Sequence, residues 1–77
     1  MNKVKIKFTP YLACAYAEGF LEGEDATDAE RIAAFQYLID TGKIWTLQGW
    51  YGGTAIKLIE AGLCHKNYKG VNIKEVK

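Results

Sequence analysis

The sequence predicts a small, mainly α, α+β domain: three short helices with a two-stranded β-ribbon formed by the N- and C-terminal segments. Three observations predict it. Residues 3–8 alternate strictly between lysine and apolar side chains, and Val71-Asn72-Ile73-Lys74-Glu75-Val76 forms a second short extended run. Thr27-Asp28-Ala29-Glu30 has the spacing of a helix-opening capping box. One helix ending occurs twice, as Leu38-Ile39-Asp40-Thr41-Gly42-Lys43-Ile44 and as Leu58-Ile59-Glu60-Ala61-Gly62-Leu63-Cys64.

In the first strand, Val4, Ile6 and Phe8 would share one face and Lys3, Lys5 and Lys7 the other. The strand should stop at Thr9-Pro10, where the threonine hydroxyl suits a helix N-cap and proline suits the first helical position. The first helix is expected from about Pro10 to Leu21. Cys14, Ala17 and Leu21 would lie on one side of it, with Gly19 weakening the interior. The second helix, opened by the capping box, should run to about Thr41 and bury Ile32, Phe35, Leu38 and Ile39. Gly42 and Gly62 can each adopt the left-handed conformation that ends a helix in a Schellman turn. The third helix carries Tyr51, Ala55, Leu58 and Ile59 as an apolar stripe, and its start is open between a cap at Thr46 and a later one near Trp50. Residues 71–76 then have residues 3–8 as their natural strand partner. The 77 residues read as one small domain, with a helical unit at about 10–64.

A chain near this size buries only about 60% of the surface its unfolded form exposes, so extra burial by self-association is expected. A dimer is the favoured state, because Trp and Tyr suit interface cores. The start Lys-Val-Lys-Ile-Lys is not an apolar leader, and Cys14 and Cys64 permit at most one bridge, which together point to free thiols in a cytoplasmic setting. No apolar run approaches the roughly 20 residues a membrane-spanning helix needs. Net charge is +1, yet six of the nine acids lie between Glu18 and Glu30 and seven of the ten basic residues lie toward the termini.

No constellation supports catalysis or a cofactor. Gly49-Trp50-Tyr51-Gly52-Gly53-Thr54 fits neither the dinucleotide fingerprint nor the P-loop. Cys14, Cys64 and His65 fall short of the four ligands of a structural zinc site. The carboxylates at 18–30 show no pairing that would divide acid from base. Trp45, Gln48, Trp50 and Tyr51 are the candidate contact residues for a partner or a second copy, the bland reading being that the three aromatics fill the core. The competing function is nucleic-acid binding, either through a ribbon presenting Lys3, Lys5, Lys7 and Lys74 or through a helix-turn-helix-like pair.

The segments Leu38-Ile39-Asp40-Thr41-Gly42, Leu47-Gln48-Gly49-Trp50-Tyr51-Gly52-Gly53-Thr54-Ala55 and Leu58-Ile59-Glu60-Ala61-Gly62 resemble an uncharacterised family of very small phage-encoded proteins. Its pattern reads LID-x-G, then W-x-LQG-x-YG-x-TA, then LIEAG, and it covers about residues 27–64 here. The resemblance implies a compact helical unit and a phage origin, with no catalytic residues to carry over. The expected function is therefore a non-enzymatic phage accessory protein in the infected cell's cytoplasm, binding a host or phage macromolecule and modulating a host factor.

Overall fold

A computed structural model of the chain describes residues 6–66. Helix α1 spans Pro10–Glu18, α2 spans Asp28–Asp40 and α3 spans Gly49–Glu60. Short 3₁₀ turns at Leu21–Gly23 and Lys43–Thr46 occupy the two connections.

Each helix begins or ends on local chemistry. Thr9 caps α1 by accepting from the Leu12 N–H at 3.1 Å, with Pro10 in the first turn. Both halves of the capping box form at α2: Thr27 Oγ1 accepts from the Glu30 N–H at 3.1 Å, and Glu30 Oε1 accepts from the Thr27 N–H at 2.9 Å. At the end of α3, Gly62 takes φ +81°, its N–H donates to the Ile59 carbonyl at 3.0 Å, and the Leu63 N–H donates to the Leu58 carbonyl at 2.9 Å. That pair of bonds is a complete Schellman turn. Its counterpart at Gly42 is only half of one. The Gly42 N–H donates to Ile39 at 3.0 Å, but the Lys43 N–H donates instead to Thr41 Oγ1 at 3.4 Å.

The predicted α+β class is corrected by the structure: the described residues form helices and turns, with no strand or sheet among them. Ile6, Lys7 and Phe8 are irregular, while residues 3–5 and 71–76 of the proposed ribbon lie outside the described residues. Alternation gives a strand two faces but cannot supply the neighbour whose backbone completes a ladder. Phe8 docks on the helices instead. Its ring stands edge-on to Tyr16 of α1 at 5.6 Å and lies 5.9 Å from Tyr37 of α2, at separations where aromatic pairs attract.

The first helix is also shorter than expected. Gly19 does not weaken its interior but ends it, with φ +77° and its N–H on the Ala15 carbonyl at 2.8 Å. Leu21 is thereby thrown out of the expected buried face to 64% exposure, and it takes φ +50°, a left-handed conformation uncommon for a bulky residue. The turn is held by Gly23. A Cβ at that position would lie 2.3 Å from the Ala15 carbonyl oxygen and 2.4 Å from Tyr16 Cα, so the loop backbone rests directly on α1.

The core is small and built from all three helices. Ala13 and Ala17 of α1 let α2 approach closely, and Ala34, Phe35, Leu38 and Ile39 of α2 fill the space between. Ile44 from the second 3₁₀ turn, Tyr51 and Ala55 of α3, and Cys64 complete it. Helix α1 packs chiefly on α2, whereas α3 meets α2 over a shorter stretch. That difference leaves a groove between α2 and α3.

Candidate functional site

The groove has a volume of about 330 Å³ and runs between the facing sides of two helices. Asp28, Arg31, Ile32 and Phe35 line it from α2, at the i, i+3, i+4, i+7 spacing of a single helix face. Trp50, Thr54 and Leu58 line it from α3, one residue per turn. Ala17 of α1 contributes to the lining, and Leu63, brought back by the Schellman turn, forms part of a wall. Phe35 and Ala17 are buried, and Ile32 and Leu58 are half-buried. Trp50 and Leu63 are each 53% exposed, so two large apolar side chains stand open to solvent along the groove.

Trp50 is held in place by its neighbours. Its ring meets Tyr51 edge-on at 4.8 Å with an interplanar angle of 82°, and lies 6.1 Å from Phe35. Tyr51 is itself fixed, 5% exposed, 6.3 Å from Phe35, with its hydroxyl donating to Glu18 Oε2. Burial first, and the bond to Glu18 second, push the Tyr51 phenol far above its usual ionisation range, so it stays a donor at any physiological pH. A second, smaller cleft of about 220 Å³ opens beside this pair, lined by Glu18, Gln48, Trp50 and Tyr51. Gln48 is the residue preceding α3, and its side chain makes no capping bond.

The structure brings together three of the four candidate contact residues. Gln48, Trp50 and Tyr51 share one cleft, in which Tyr51 is the buried support and Trp50 the exposed face. Trp45 is elsewhere. Its six-membered ring lies over Gly52, 3.8 Å from where a Cβ would stand, and positions 50 and 52 of a helix point about 200° apart. Thr46, one of the two possible caps for α3, turns back and donates to the Lys43 carbonyl at 2.8 Å. Of the four lysines considered for nucleic acid, Lys7 is exposed just before the α1 cap, and Lys3, Lys5 and Lys74 lie outside the described residues.

Sequence reasoning missed Asp28, Arg31, Leu63 and Glu18 as parts of this surface. Leu63 had a detectable signal, since the residue after a Schellman glycine commonly folds back on the helix. The meeting of Glu18 with Tyr51, 33 residues apart, had none.

Both cysteines are free; Cys64 is buried, its thiol 3.7 Å from the Ile32 carbonyl, and burial raises its pKa. Among the described residues no three His, Cys, Asp or Glu side chains are placed to hold a metal ion, and no helix is long and apolar enough to cross a membrane.

Comparison with known proteins identifies a family. A family model described as a domain of unknown function (DUF7417) covers residues 14–75. No curated protein and no solved structure matches the chain.

Proposed function

We propose that this chain, which belongs to the DUF7417 family, is a non-enzymatic accessory protein that binds a partner protein through the groove between α2 and α3. The observation that carries this reading is the pair Trp50 and Leu63, both 53% exposed along an apolar groove and both held by local structure. Tryptophan in a preformed apolar setting is the type of side chain that dominates binding energy at protein interfaces. The resemblance to small phage-encoded proteins supports, within this proposal, a host or phage protein as the partner, met in the cytoplasm of an infected cell, with modulation of a host factor as the outcome.

Self-association belongs to the same reading, on a different face. Trp45 and Ile56 are exposed on the flank of α3 opposite Trp50, one helical turn apart by way of Gly52. A second copy would cover that flank and add the burial that a small core lacks. The nucleic-acid reading has less support: α3 exposes Ile56, Lys57 and Glu60, not a row of polar side chains suited to base edges.

The test is affinity capture from host lysate with the wild-type chain and with Trp50→Ala and Leu63→Ala, each checked for folding by circular dichroism. A partner retained by wild type and lost from both variants is the expected result. A partner retained equally by all three, or turnover of a nucleotide or sugar by the purified protein, would overturn the proposal.

A further inference from the structure

The charge around the groove identifies the kind of segment that fits it. Asp28 lines the groove from the first turn of α2, Glu18 lines the adjoining cleft, and Trp50 lines both. Glu22, Glu24 and Asp25 lie on the loop that leads into the same end of α2. Among the described residues, Arg31 is the one base on the groove wall. Its guanidinium lies 3.7 Å from the Cβ position of Gly19, at the C-terminal end of α1 where the helix dipole is negative. Part of its charge is thus answered within the fold, which leaves Asp28 in the groove and Glu18 in the adjoining cleft as the carboxylates a basic side chain could meet.

The walls decide the conformation of the occupant. Both are helix side faces whose backbone groups are already bonded within α2 and α3, so they offer no edge on which an extended peptide could build a ladder. A segment entering an apolar groove must then satisfy its own backbone, which a helix does. Trp50 to Leu58 spans about 12 Å along α3, the distance over which a helix presents anchors at i, i+4 and i+7.

We infer that the groove receives an amphipathic α-helix of a partner protein, with apolar anchors at helical spacing and lysine or arginine beside them. This rests on the interaction reading above and deepens it. Apolar anchors would supply most of the affinity, and the carboxylates would set the choice of partner and the speed of encounter.

The test uses the full chain with Trp45→Phe, which leaves Trp50 as the sole tryptophan, titrated with two helical peptides of about four turns and followed by tryptophan emission. Both peptides carry leucines at i, i+3, i+4 and i+7, one with lysine and the other with glutamate at the remaining positions. The lysine peptide should shift Trp50 emission and bind at least about tenfold more tightly than the glutamate peptide at low salt. The gap should narrow in about 0.5 M salt, where screening shortens the reach of the carboxylates. It should shrink again in the double variant Asp28→Asn/Glu18→Gln, whose introduced amide oxygen still accepts from the Tyr51 hydroxyl. Leu63→Ala should weaken the lysine peptide severalfold.

Equal binding of the two peptides would overturn the basic-helix inference and leave the groove reading standing. No shift with either would overturn both. Unchanged affinity in Leu63→Ala would show that attraction acts elsewhere on the surface, and would also overturn the inference. The inference fails equally if emission shifts with the protein's own concentration, meaning a second copy fills the groove, or with duplex DNA in place of the peptides.

Discussion

The side-chain amide of Gln36 pairs with both backbone groups of His65: Nε2 donates to the His65 carbonyl at 3.0 Å, and Oε1 accepts from the His65 N–H at 2.8 Å. The same Nε2 donates to Asp40 Oδ1 at 2.8 Å, which leaves only one orientation of the amide that satisfies every partner. A residue in the middle of α2 thus fastens the chain just after α3 has ended, and it does so without using the histidine ring.

Removing this clamp should cost stability, while removing the imidazole should not. Gln36→Ala loses all three bonds, two to His65 and one to Asp40, worth about 0.5–1.5 kcal/mol each, and is expected to destabilise by about 1.5–3 kcal/mol in urea unfolding. His65→Ala, which keeps the backbone groups, should stay within about 0.5 kcal/mol of wild type.

Alkaline pH should weaken the fold through Tyr51 and Cys64. Both groups have folded pKa values raised above their unfolded values of 10.0 and 9.0. In each case the unfolded chain releases its proton first as pH rises. Stability is therefore fully present below about pH 8 and falls from about pH 9 upward, at up to about 1.4 kcal/mol per pH unit for each group. Tyr51→Phe should lose about 1 kcal/mol at neutral pH by leaving Glu18 without its donor. The same variant should show a shallower decline between about pH 10 and 11 when chemical unfolding is followed across pH.

Two glycines should respond in opposite directions to alanine. At Gly23 a methyl group would collide with the backbone of Ala15 and Tyr16, so Gly23→Ala is expected to cost at least about 2 kcal/mol or to prevent folding. At Gly53, inside α3, nothing lies within 4 Å of the Cβ position. Gly53→Ala should stabilise by about 0.5–1 kcal/mol, read as a rise in thermal midpoint.

The capping box offers a check on α2 alone. Thr27→Ala removes the acceptor for the Glu30 N–H and should cost about 1 kcal/mol in thermal or urea unfolding. Thr27→Ser, which keeps the oxygen, should recover most of that loss.

These residues also divide what the sequence makes legible from what it hides. Thr9-Pro10, Thr27–Glu30 and Gly42 and Gly62 act on atoms a few positions away, so their spacing announces the helix boundaries they set. At residues 6–8 the strand reading failed because a ladder depends on a distant neighbour, and Phe8 found a place between Tyr16 and Tyr37 instead. Trp45 and Trp50 are both contact candidates in the sequence, and the start of α3 at Gly49 puts them on opposite flanks. A shift of one or two residues in that start would have changed which side chains line the groove. Asp28 was legible as a helix-opening acid, but its place at the groove depends on how α3 settles against α2, which no local pattern encodes.

The Leu58 carbonyl accepts from two amides, those of Leu63 at 2.9 Å and Cys64 at 3.2 Å. One wall of the groove is therefore a helix stop and not the side of a rigid rod. Anything that wedges Leu63 outward must strain the last bonds of α3, and anything that presses it inward must tighten them. Hydrogen–deuterium exchange at the Leu63 and Cys64 amides would register either event directly, as a built-in gauge of occupancy that needs no label on the protein or on its visitor.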